Sequence, residues 1–229
     1  MRFRDRADAG RRLAAPLLSH RGHGTRVFGL NSGGVRVAYE VAHALGAPLE
    51  LWVARTVDVP GVPLTRLGAV AEGDGFFLHA DTVRSVAAPA AEMTAWMDAE
   101  AGEVALEAQR LRGAQVRMEA GTSTVVLVAE GIPAGDLQVY AALRGLRHQQ
   151  PRRLVLAVPV AAAEELERLR LEADEVVCLQ PIWALLSVDH AYDDLRSLPD
   201  LEVRQLLERA REFGPGRENW VPAQGGEWI

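Results

Sequence analysis

Apolar positions along the chain fall into two periods, one of helices and one of buried strands. Residues 5–18 carry Ala9, Leu13, Leu17 and Leu18 at helical spacing, with Asp5 and Asp8 near the start, where acids suit the helix dipole. A short apolar run over 25–30 predicts a strand that ends in the turn Asn31-Ser32-Gly33-Gly34, followed by a helix over 35–45 stopped by Gly46. Residues 49–54 predict a second buried strand. The Gly- and Pro-rich stretch 58–75 predicts a mobile loop with a short hairpin, running into Phe76, Phe77 and Leu78. A long Glu- and Ala-rich helix spans 91–111. The continuous run Val125 to Val128 then predicts a strand buried on both faces of a parallel sheet. A helix over 136–147, a strand over 154–158, a helix over 162–171 and a strand over 175–179 follow.

Five apolar strands separated mostly by helices predict an α/β fold with a doubly wound, mainly parallel sheet. Such sheets collect ligands at the carboxyl ends of their strands, where the chain order reverses. Both glycine turns, 31–34 and 131–135, lie at strand carboxyl ends and open helices, so each offers backbone donors to an anion. Asp136, in the first turn after the second of them, is read as a carboxylate that interacts with the helix dipole and its free N–H groups. Residues 214–229 break the composition. Trp220 and Trp228 there fit either a terminus without a core of its own or a peptide that docks on a protein partner.

A length of 229 residues with 48% apolar residues predicts one well-buried domain over 1–213 plus that tail. No run is long and apolar enough to span a membrane and the first residues carry no secretory apolar segment, so the expectation is a cytoplasmic protein without membrane contact. The net charge of −6 argues against nucleic acid as a partner. All 25 basic residues are arginine. That excludes Schiff-base catalysis and a phosphate-loop lysine, and leaves arginine, backbone N–H groups or helix ends to hold any anion. Cys178 reads as a small core hydrophobe. His20 and His23 form no metal set with a third ligand. Ser32 faintly matches a nucleophile elbow, but Leu30 stands where that motif needs glycine. Trp96 and Met97 on the long helix are candidates for a contact in a homodimer.

Several segments together carry a family resemblance: Phe3-Arg-Asp-Arg-Ala-Asp at the start, Val59-Pro-Gly61, Gly68-Ala-Val-Ala-Glu-Gly73, Ala157-Val-Pro-Val160 and Asp174-Glu-Val-Val-Cys-Leu179. On these residues the chain resembles the phosphoribosyltransferase family, in particular a bacterial group of unassigned substrate, from Phe3 to about Ala210. The resemblance implies a type I phosphoribosyltransferase fold with a flexible flap at about 56–75 and a small hood built from the N-terminus and about 181–213. It also implies transfer of ribose 5-phosphate from phosphoribosyl pyrophosphate (PRPP), with Mg²⁺, to a base.

The ligand-holding positions of that family are altered here. Its paired acids appear as Ala129 and Glu130. Its phosphate-binding Thr-Gly-x-Thr, after Gly131, Ile132 and Pro133, appears as Ala134-Gly135-Asp136-Leu137. Its pyrophosphate turn Leu-Pro-Arg-Gly-Gly appears as Leu30-Asn31-Ser32-Gly33-Gly34. Arg55 is kept but Thr56 replaces the lysine after it, and the flap's Glu-Leu-Ala appears as Leu64-Thr65-Arg66. Losing one charged acceptor for a ribose hydroxyl is worth roughly 1.5–3 kcal/mol. A carboxylate about 4 Å from a phosphate costs about 4 kcal/mol at an effective dielectric near 20. The resemblance therefore implies a retired PRPP site in a binding, regulatory or scaffolding module. The alternative is an active transferase in which Arg36, Arg55 or Arg66 holds an anion, with Mg²⁺ bound alongside the substrate, and Glu130 holds a ribose.

Overall fold

The computed structural model describes residues 2–22, 24–113 and 117–213. Trp220, Trp228 and the rest of 214–229, along with His23, lie outside the described residues. Helix α1 (Arg6–Ala14) is capped by the Asp5 carboxylate, which accepts from the Asp8 N–H at 2.7 Å. It passes at Pro16 into a short 3-10 turn. Strand β1 (Thr25–Leu30), helix α2 (Asn31–Leu45) and strand β2 (Leu49–Trp52) follow. An antiparallel sheet comes next: β3 (Ala54–Asp58), β4 (Arg66–Ala71) and β5 (Gly75–Leu78). Helices α3 (Ala80–Ser85) and α4 (Ala90–Arg112) lead to β6 (Thr124–Val128) and α5 (Gln138–His148). Strand β7 (Arg153–Ala162), α6 (Ala163–Leu169), β8 (Glu175–Ile182) and α7 (Asp200–Arg209) complete the described order.

The main sheet has the order β2-β1-β6-β7-β8, with every neighbour pair parallel. Chain order reverses between β1 and β6. Alternation along β6 shows why the sheet is wound on both faces. Val126 and Val128 enter one apolar cluster with Leu13, Val41 and Leu207 from α1, α2 and α7. Val125 and Leu127 enter the other, with Val139, Leu143 and Leu146 from α5. A third cluster joins Phe3 to Leu185, Ala191 and Tyr192, and the Phe3 and Tyr192 rings lie 5.5 Å apart. The N-terminal segment and the stretch after β8 therefore meet over one end of the sheet.

Several sequence expectations shift. The second strand is interrupted at Val53, where the chain leaves the parallel sheet and starts the antiparallel one. In 58–75, expected as a mobile loop with a short hairpin, the hairpin is present as β4 paired antiparallel with β5, and tight turns occupy much of the remainder. Gly75 and Gly145 let this sheet touch α5, since a Cβ on Gly145 would stand 2.1 Å from the Glu72 carbonyl oxygen. Trp96 and Met97, the candidates for a dimer contact, are partly buried against the core and partly open to solvent. Helix α7, not among the expected helices, buries one face through Val203, Leu206 and Leu207, whose spacing is helical.

A charged cluster lies under the second sheet. Arg112, Glu50 and Glu72 are each less than a tenth exposed. The Arg112 guanidinium donates to Glu50 at 3.0 Å, to both oxygens of Glu72 at 2.9 and 3.0 Å, and to the Leu51 carbonyl at 3.2 Å. Glu50 also accepts from the Leu51 and Met118 N–H groups, and Glu72 from the Val53 N–H. One guanidinium thus fastens β2, the turn before β5 and the end of α4 together.

Candidate functional site

At the switch between β1 and β6, a polar cleft of about 600 Å³ opens at the carboxyl ends of the strands. Such crevices are where doubly wound sheets take ligands. One wall is the entry to α2. This helix begins at Asn31, directly after β1, and not at residue 35, so the expected turn 31–34 is its first turn. Asn31 is left-handed, with φ 54°. The strand-to-helix elbow is therefore centred on Asn31, not Ser32, and among the described residues no histidine lines the cleft. Gly34 is required by contact, since its Cβ would lie 2.6 Å from the Val128 carbonyl oxygen.

The left-handed Asn31 is held by its own amide. Its Oδ1 accepts from the Ala54 N–H at 2.9 Å, and its Nδ2 donates to the Ala54 carbonyl at 3.1 Å and to Gln138 Oε1 at 2.7 Å. Gln138 in turn donates to Thr56 Oγ1 at 3.1 Å. Three segments that carry the cleft, the start of α2, β3 and the start of α5, are thus tied by one amide network. Gln138 escaped notice in the sequence because only the fold brings the start of α5 beside β3.

Charge in the cleft is internally matched. Arg6 donates through Nε to Glu130, and its other end reaches the Arg196 carbonyl at 2.7 Å. Arg55 pairs with Glu100 at 2.8 Å and Glu107 at 3.1 Å, and these bonds push its pKa above the ordinary guanidinium value. Arg110 pairs with Asp200. Among the described residues Arg6, Arg55 and Arg110 are the arginines lining the cleft, and each has a carboxylate partner that also lines it. These acids fit a resident cation poorly, because each would have to give up its guanidinium. Among the described residues no group of three or more metal-ligating side chains occurs.

The remaining candidates scatter around the cleft. Asn31, Ser32, Gly33, Arg55 and Glu130 line it. Arg36 does not: it pairs with Glu40 at 3.1 Å and lies over the Tyr39 ring. Arg66 is exposed and donates to the Gly135 carbonyl at 3.0 Å. Ala129, Ile132 and Leu137 are buried in the core. Ile132 continues the line of β6 beside β7, bonding to Val160 and Ala162. A Cβ on Gly131 would strike Val188, and Ala134 donates to the Leu185 carbonyl, so the stretch after β8 packs on 131–134, with Gly131 and Ile132 buried and Pro133 and Ala134 half-buried.

Asp136 stands just before α5, which begins at Gln138 and not at 136. Its carboxylate accepts from the Gln138 N–H at 2.9 Å and from the Val139 N–H. Burial pushes its pKa up to about 6, outweighing these bonds and the charge of Arg66. Beside it the buried Glu165 accepts from the Gly135 N–H at 3.0 Å and from the Tyr140 hydroxyl at 2.7 Å. Pro133 and Gly135 thus lie in a loop fixed by carboxylates on both sides.

No family model matches the chain. A Mycobacterium tuberculosis (strain H37Rv) protein named "Putative phosphoribosyl transferase" is 37% identical over 212 residues, covering 92% of this chain and 48% of its own length. Its counterpart in strain CDC 1551 matches to the same extent. The chain therefore spans about half the length of the curated relatives it matches. The crystal structure of TT1426 from Thermus thermophilus has 36% identity and a TM-score of 0.71, covering 91% of this chain and 99% of that one.

Proposed function

The chain belongs to the phosphoribosyltransferase-like family, and on that premise we propose that it no longer uses PRPP and serves as a binding or regulatory module. One observation carries this reading: each arginine that lines the cleft is already bound to a carboxylate of the same cleft. A pyrophosphate ester is a polyanion and is held by unsatisfied guanidinium and N–H groups. Here it would have to displace three ion pairs, whose acids would then face its own charge. The Asp136 carboxylate adds to this, since it already takes the first N–H groups of α5. Ala129 supplies no second acid beside Glu130. The test is calorimetric titration of PRPP with Mg²⁺ into the protein. No heat at millimolar ligand is expected, and saturable binding in the micromolar range would overturn the reading.

A second reading rests on the cleft itself, which remains open and polar. Asn31, Thr56 and Gln138 offer amide and hydroxyl groups, and Glu130 offers one carboxylate, to a less highly charged sugar phosphate. The cleft would then serve a transferase or a sensor with a shifted phosphorylated ligand. Ribose 5-phosphate in the same calorimeter separates the two, because one phosphate needs only one guanidinium to change partner. Binding of ribose 5-phosphate without PRPP binding would favour this second reading.

A further inference from the structure

A second cavity, sharing no lining residue with the cleft, lies between the β4–β5 hairpin and α4. Its volume of about 680 Å³ is in the range that encloses a small organic ligand. The walls are apolar: Val70 and Leu78 from the hairpin, Met93, Met97 and Val104 from α4. Val70 and Val104 are buried at its floor, whereas Phe76 at the mouth remains half exposed. Two methionines give one wall an unbranched, polarizable surface that adapts to shape.

The polar groups of this cavity are unequal in sign and in commitment. Glu72 is already engaged by Arg112. Arg117 stacks its guanidinium 5.7 Å from the centre of the Trp52 ring. Asp74, at the hairpin tip, and Asp98, on α4, outnumber that single exposed guanidinium, which is itself in no ion pair among the described residues. Among the described residues neither makes an ion pair. One therefore stands on each wall of an apolar cavity.

We infer that this cavity binds an organic cation, an ammonium group carried on an apolar body of one or two rings. The body displaces water from the Val70, Met93, Met97 and Val104 surface, and the ammonium meets the carboxylates of Asp74 and Asp98 at the rim. An organic carboxylate of the same shape would find one guanidinium, already stacked on an indole, and two acids of its own sign. The inference stands apart from the proposed function, since it uses none of the cleft residues.

The experiment is calorimetric titration at low salt with a matched pair of probes, 1-naphthylmethylamine and 1-naphthylacetate. Rim carboxylates are solvated and contribute modestly, so the amine is expected to bind about tenfold more tightly than the acid. Asp74→Asn with Asp98→Asn should abolish that preference. Asparagine suits position 74, where φ is 57°, so this variant keeps the hairpin turn. Ala101→Trp, on the cavity-lining face of α4, should block both probes. Equal affinities, tighter binding of the acid, no saturable binding of the amine, or an amine preference that survives in the double variant would each overturn the inference.

Discussion

Arg112→Met tests what holds the walls of both cavities in place. The substitution keeps the apolar stem but removes four hydrogen bonds, two of them to the same carboxylate. Glu50 and Glu72 would then be left less than a tenth exposed without a counter-ion. Breaking a buried ion pair from one side costs about 3–5 kcal/mol. That is a large share of the roughly 5–15 kcal/mol by which domains are stable. At roughly 2–4 °C per kcal/mol for a domain of this size, the melting temperature should fall by about 6–20 °C. The loss should also depend on pH. Burial already holds the Glu72 pKa above the usual carboxylate value, and Arg112 opposes that rise. A raised folded-state pKa contributes stability that is full below the unfolded value and lost as pH rises through the folded one. Without Arg112 the pKa climbs further, so the variant should be worse near pH 8 than near pH 5. Urea unfolding at the two pH values measures this. A cost under about 1 kcal/mol near pH 8, or an equal cost at both, would refute the account. Replacing all three residues with apolar ones of similar volume should restore much of the stability.

Two further predictions concern the cleft and the loop before α5. Asn31→Ala loses the amide bonds and keeps a left-handed backbone, for about 2–3 kcal/mol, whereas Asn31→Gly relieves the backbone and should cost about 1 kcal/mol less. Equal losses in chemical denaturation would show that the φ of 54° carries no strain. For Asp136, with its pKa pushed up to about 6 by burial, the stability it contributes is full below the unfolded value of 3.8 and lost as pH rises through about 6. Asp136→Asn should therefore flatten the pH dependence of the melting temperature between those values, and an unchanged profile would sink the assignment.

Much of the fold was legible in the sequence because its signals are local. The run Val125–Val128 pointed to a strand buried on both faces, and the alternation of strands with helices implied a parallel sheet with a switch point. The identities of Ala129 and Asp136, on which the proposed loss of PRPP use partly rests, are read directly from the sequence. Pairing was not legible, because it is decided between segments far apart in the chain. Arg6 reaches Glu130, Arg55 reaches Glu100 and Glu107, and Arg112 reaches Glu50 and Glu72 only once the sheets are assembled. Arg36, an equal candidate by sequence, is spent on Glu40 one turn away along its own helix. Sequence periodicity fixes which face of an element is apolar. Which charges meet depends on where those faces stack, so only the tertiary structure decided that this cleft satisfies its own arginines.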